Sequence, residues 1–218
     1  MSLASELGLR EVVEDILFEG IVEKSPNLPL ILAARKGREA IFKLLLEKVP
    51  KIEARDNASF RLSLLVASGG GHEVIVRLLL KMGADMEETG DYYLQNPLIS
   101  AVRRHSKAIA ELLIENGANV DAMVNKGELP LVEAAGGGDE AMVNLLLEKG
   151  ADIDKRGSNG QTPLLHAAER GKGAIVKLLL EKGAKIEVQD FIDQTLVSVV
   201  DTEKARKIIV KPILSASV

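Results

Sequence analysis

Apolar and polar positions follow a helical rhythm along this chain, and the rhythm breaks and restarts at regular intervals. The segments KLLLEKVPKIE, RLLLKMGADME, ELLIENGANVD, NLLLEKGADID and KLLLEKGAKIE repeat one pattern. With the residues just before them, such as Ile175 and Val176 ahead of Leu178, Leu179 and Leu180, each predicts an amphipathic helix. Gly83, Gly117, Gly150 and Gly183 stand where those helices should stop. A shorter apolar segment precedes each of them: PLILAARKG from Pro29, SLLVASGGG from Ser63, PLISAVRRH from Pro97, PLVEAAGGG from Pro130 and PLLHAAERG from Pro163. Proline suits the first turn of a helix, where its missing N–H would have had no partner. Gly37, Gly71, Gly138 and Gly171 then end a helix of about two turns. Polar stretches such as ADIDKRGSNGQ carry the chain to the next unit as extended turns. Helices this short do not persist alone in water, so each must bury its apolar face against a neighbour.

The first-helix anchors start at 29, 63, 97, 130 and 163, with spacings of 34, 34, 33 and 33 residues. The Leu-rich anchors keep the same phase. A 33-residue period carried by Thr162, Pro163, Leu164, Ala167, Ala168, Gly171, Leu178, Leu179, Gly183 and Ala184 resembles the ankyrin repeat. The resemblance implies an all-α, helix–turn–helix solenoid of the ankyrin type, an α-superhelix with short β-turn or hairpin fingers between repeats. On that template residues 1–218 form a single repeat domain. Residues 1–22 are an N-terminal half-repeat cap with Ala4, Ser5 and Gly8 in frame, and 23–189 hold five full repeats. Residues 190–210 are a degenerate C-terminal cap, and 211–218 a tail in which Pro212 replaces a core leucine. Leu28, Leu62 and Leu129 stand where the family has a capping Thr, which predicts weaker helix starts, and Leu165 replaces the usual His.

Composition narrows the chemistry. Aromatics are only 3% and Trp is absent, so the interior is expected to be built from Leu, Ile, Val and Ala layers. The absence of Cys removes disulfides, thiolate zinc sites and cysteine nucleophiles. A formal charge of −4 argues against nucleic acid as the partner. No apolar stretch reaches the ~20 residues of a membrane span, and the N-terminus lacks a signal-peptide core. An intracellular, cytoplasmic protein is expected, with the nucleus also open. His72, His105 and His166 fall in different repeats, so no metal site is expected. Gly69–Gly71 and Gly136–Gly138 end first helices, whereas a phosphate cradle needs a helix start. Glu53, Glu87, Asp121, Asp154 and Glu187 form a carboxylate column that reads as structural or solvated. No catalytic constellation, cofactor or enzymatic activity is expected.

The resemblance implies a protein-recognition scaffold that works through turn tips and the exposed side of the first helices. Before each first-helix glycine, or His105 in its place, stand Arg35-Lys36, Gly69-Gly70, Arg103-Arg104, Gly136-Gly137 and Glu169-Arg170. Arg35, Lys36, Arg103, Arg104 and Arg170 are therefore candidate contacts for another protein, with an acidic segment favoured by bidentate arginine pairing. Ordinary solvated charge is the competing account. Phe60, Tyr92, Tyr93 and Phe191 fall in turn-tip segments, and aromatic residues are enriched at interfaces. They serve either as contacts or as packing on neighbouring turns. An anion-binding module for nucleic acid or polyphosphate, using these cations with Lys107, is the alternative. A monomer is expected.

Overall fold

The computed structural model describes residues 28–48, 57–86, 96–124, 127–157 and 160–186. The two caps, the tail and Pro212 lie outside them. The fold is all-α, with ten helices and no sheet among the described residues. The backbone divides into two compact units, residues 1–90 with 95–117 and residues 91–94 with 118–218.

In the first unit, helices α1 (Leu28–Arg35), α3 (Asn57–Gly70) and α5 (Pro97–Arg103) are the first helices of three repeats. Their partners are α2 (Glu39–Lys48), α4 (Glu73–Lys81) and α6 (Lys107–Glu115). Helix α3 packs between α1 and α5, and each second helix packs on its own first helix. The second unit repeats the arrangement with α7 (Pro130–Gly137) beside α9 (Pro163–Glu169), backed by α8 (Glu140–Glu148) and α10 (Gly173–Glu181).

The buried positions explain the period. On second helices they are Ile75, Val76 and Leu79, then Ile109, Ala110 and Leu113, then Met142, Val143 and Leu146, then Ile175, Val176 and Leu179. That i, i+1, i+4 spacing covers one helix face. First helices contribute Ala33-Ala34, Ala134-Ala135 and Ala167-Ala168, small enough to let backbones approach closely. The ends follow the expected chemistry. Gly150 has a φ of 92°, its N–H donates to Leu147 O at 3.1 Å, and the Ala151 N–H donates to Leu146 O at 2.9 Å. This pair of bonds closes the helix through a left-handed residue.

Two expectations change. The first helix of the second repeat does not open at Ser63: α3 begins at Asn57 and runs 14 residues. Neither proline nor glycine interrupts NASFRLSLLVASGG before its end, so the helix propagates backward past the usual start. Phe60 therefore sits inside a helix instead of a turn tip, and Leu62 is no longer a cap position. Leu129 does cap α7 without a side-chain hydrogen bond, yet it is only 2% exposed. Burying a leucine contributes about 1.5–3 kcal/mol, more than the ~1 kcal/mol of a good cap. Its leucine is thus no net weakness. Asn96 and Thr162 supply true caps, with Asn96 Oδ1 accepting from Leu98 N–H at 2.7 Å and Thr162 Oγ1 accepting from Leu165 N–H at 3.2 Å.

Candidate functional site

The turn that joins the two helices of each repeat follows the C-terminal end of the first helix, and the candidate cations cluster there. In the first unit Arg35 ends α1 and Lys36 follows it, while Arg103 ends α5 and Arg104 is its C-cap; all four are exposed. Between them α3 ends in Gly69 and Gly70, with Gly71 at a φ of 78°. A Cβ on Gly69, which is exposed, would meet only Ser100 Cβ, at an ordinary contact distance of 3.7 Å. At Gly70 a Cβ would lie 2.5 Å from the His72 ring, and at Gly37 2.4 Å. The imidazole thus lies flat across two bare turns. Its Nε2–H donates to the Arg35 carbonyl at 3.2 Å, 37 residues away. The bond ties one repeat to the next.

His105 takes the place of the usual turn glycine. It holds a φ of 58°, and the same two closing bonds form, His105 N–H to Val102 O at 2.9 Å and Ser106 N–H to Ala101 O at 3.0 Å. Histidine tolerates this region better than most residues, at a strain of about 1–2 kcal/mol.

In the second unit the equivalent edge is different in character. α7 ends in Gly136 and Gly137, and α9 in Glu169, followed by an exposed Arg170. His166 covers Gly136, where a Cβ would come within 2.3 Å of its ring. Its Nδ1–H donates to Gln161 Oε1 at 3.0 Å, and Gln161 Nε2 donates in turn to Glu169 Oε2. Burial, with the nearby Arg170 guanidinium, holds the His166 pKa below its usual value; Glu133 and Glu169 oppose this.

The fingers carry the two described members of the carboxylate column. The carboxylate of Asp121 accepts the Asp152 N–H at 3.2 Å, and Asp154 Oδ1 accepts the Lys185 N–H at 2.8 Å. Lys155 and Lys185 stand 4.0 and 3.9 Å from the same two carboxylates. Each aspartate thus fastens the finger that follows it, a structural task. The finger backbone forms short turns, with an antiparallel bridge between Val124 and Glu128. Gly157 N–H also donates to Gln161 O at 3.0 Å.

The remaining candidates divide plainly. Phe60 is 3% exposed and packs in the interior, so it is withdrawn as a contact residue. Tyr92, Tyr93 and Phe191 lie outside the described residues. Lys107 opens α6 and is exposed. Among the described residues no group of three or more His, Cys, Asp or Glu side chains could hold a metal ion. No described helix is long and apolar enough to cross a membrane.

Comparison with known families gives one answer. The family model described as ankyrin repeats (3 copies) matches residues 1–90, 59–124 and 119–190. Comparison with curated proteins gave no significant match.

Proposed function

The chain belongs to the ankyrin-repeat family, and from that premise we propose that it is a non-catalytic module that binds a partner protein. Ankyrin repeats are generally protein–protein interaction modules. The observation that carries the reading is the contrast within each repeat. The interior keeps one set of small and branched apolar residues. The exposed first-helix ends change from Arg35-Lys36 to Gly69-Gly70 to Arg103-Arg104. The fold does not require a basic pair at every first-helix end, since α3 and α7 end without one.

The module uses the first-helix ends, with Arg35, Lys36, Arg103, Arg104 and Arg170, together with the turn-tip aromatics Tyr92, Tyr93 and Phe191. Its partner is a protein with an acidic segment, met by a monomeric array of five repeats between two caps in the cytoplasm. No cofactor takes part.

Affinity capture with the full chain, followed by measured affinities for the captured protein, tests this. Replacing Tyr92 and Tyr93 together by Ala should weaken binding by more than ~2 kcal/mol and leave the melting temperature nearly unchanged. Unchanged affinity with a lowered melting temperature would assign the two rings to packing. Steeply salt-dependent binding to unrelated polyanions, with no saturable protein partner, would favour the anion-binding alternative.

A further inference from the structure

The two basic pairs of the first unit belong to non-adjacent repeats, with a step of three glycines, Gly69 to Gly71, between them. Helix α3 packs on both α1 and α5, so the Arg35-Lys36 and Arg103-Arg104 pairs are two packing steps apart. At about 8–10 Å per step, the pairs are roughly 16–20 Å apart. An extended chain covers 3.3–3.6 Å per residue, so about five or six residues bridge that distance. The intervening step has no side chain of its own at Gly69, which is exposed and where an added Cβ would meet only Ser100 Cβ at 3.7 Å, nor at Gly71, beside which Arg104 Cγ and Nε lie 3.9 Å from the Cβ position. The one ring there, His72, lies down over Gly37 and Gly70 instead of projecting. A main chain can therefore come close to the helix end in the middle while its ends meet cations.

We propose that the first unit binds an extended segment bearing two acidic clusters about five or six residues apart. One cluster pairs with Arg35 and Lys36, the other with Arg103 and Arg104, and the backbone between them crosses Gly69. This rests on the protein-binding reading above and specifies its ligand. Charge complementarity sets the acidic chemistry, and the glycine step sets the spacing. Arginine forks suit carboxylates through two parallel hydrogen bonds. Basic residues at a helix C-terminus also complement its dipole, but that role does not account for α3, which ends in glycines with no basic residue in its last turn. The second unit does not offer the same surface. There Gly136 is covered by His166, and Glu169 stands beside Arg170.

The test uses the full chain and fluorescein-labelled synthetic peptides read by polarisation. One peptide carries two triple-glutamate clusters separated by a Gly/Ser spacer of about six residues. The others carry a single cluster, or both clusters without a spacer. Joining two weak contacts at the matching span makes the second intramolecular, so the spaced peptide should bind at least about tenfold more tightly than either control. Arg35→Glu with Lys36→Glu, and Arg103→Glu with Arg104→Glu, should each reduce its binding to the single-cluster level. Gly69→Gln keeps every charge and fills the floor, and it should weaken the spaced peptide by about tenfold or more. Lys182→Glu, an exposed cation at the end of the second helix α10, should change nothing, and melting curves establish that each variant is folded.

Equal binding of spaced and contiguous peptides, or an unaltered affinity in Gly69→Gln, overturns the proposal. So does a polyphosphate chain that binds as tightly as the spaced peptide and whose binding is unaltered by Gly69→Gln. A captured protein partner whose affinity ignores all four basic substitutions also overturns it while leaving the interaction-module reading intact. Absence of any saturable protein partner removes both.

Discussion

The two units are built on one period and invest it differently. At the turns between helices, the first unit places Arg35, Lys36, Arg38, Arg103, Arg104 and Lys107 against Glu39 and Glu73. The second places Asp139, Glu140 and Glu169 beside Arg170 and Lys172. The first unit also tolerates irregularities that the described residues of the second do not show. His105 occupies a left-handed turn position, and α3 buries Ser63 and Ser68 with neither hydroxyl hydrogen-bonded. In the second unit, Gly138 fills the turn position, Ala135 and Ala168 take the place of Ser68, and aspartates fasten the fingers. A repeat scaffold separates these choices because each repeat rests mainly on its neighbours, so local cost at one step leaves the rest standing.

The sharpest way to break this comparison is to make the same cavity in each unit. Leu79 in α4 and Leu179 in α10 occupy the same position 100 residues apart, and both are 0% exposed. Leu79→Ala and Leu179→Ala should each cost about 2–5 kcal/mol. Chemical denaturation followed by hydrogen exchange at the α3–α4 and α9–α10 amides reads where the loss falls. If the units differ as described, Leu79→Ala opens the first unit's amides preferentially, and Leu179→Ala the second's. Uniform loss across both would show that cooperativity overrides the local differences.

A smaller effect comes from exchanging the turn residues. His105→Gly should stabilise the first unit by about 1 kcal/mol, because glycine adopts a positive φ without the Cβ clash. The reciprocal Gly138→His should cost about 1–2 kcal/mol in the second. Its new Cβ would lie 3.0 Å from Lys172 Cδ, a flexible side chain that can move aside. A stabilising Gly138→His would show that the backbone there is not the deciding factor.

Most of the architecture is legible in the sequence because its signals are local. Pro97, Pro130 and Pro163 start helices, positive-φ glycines end them, and the buried second-helix positions follow from a helical period. Phe60 was misplaced because the start of α3 depends on the absence of a breaker, and an absence has no residue to mark it. The cations at 35, 36, 103 and 104 were visible as a column, but the flat His72 between them was not. Its orientation depends on bare glycines in two different repeats, which only packing brings together.

Ser68 sets a more delicate test. It takes the second Ala position of the first helix, is 0% exposed, and its Oγ has no partner. A buried hydroxyl without a partner carries its full desolvation cost, while alanine at the same place carries none. Ser68→Ala should therefore raise stability by up to ~1 kcal/mol, seen as a higher denaturation midpoint with an unchanged slope. A loss would indicate that the hydroxyl has a partner in solution, such as a bound water.

The smallest effect expected is a pH dependence confined to the second unit. His166 has a lowered pKa in the folded chain, first from burial and then from Arg170, against the opposing pull of Glu133 and Glu169. Its remaining close partner is Gln161, which accepts from Nδ1 at 3.0 Å. Folding thus favours the neutral ring, and the unfolded chain binds a proton more readily. The resulting stability is fully present above the unfolded value of about 6.5 and is lost as pH falls through the lowered folded value. Because the ring is only part-buried, solvent screens the charge and keeps the change small. Hydrogen exchange at α9 and α10 amides, corrected for intrinsic pH dependence, should show local stability falling through that interval. His166→Gln should flatten the profile, since Gln keeps a polar side chain there and does not titrate. If the slope persists in His166→Gln, the titrating group is another residue, and the pH-linked difference between the units is not seated at Gly136.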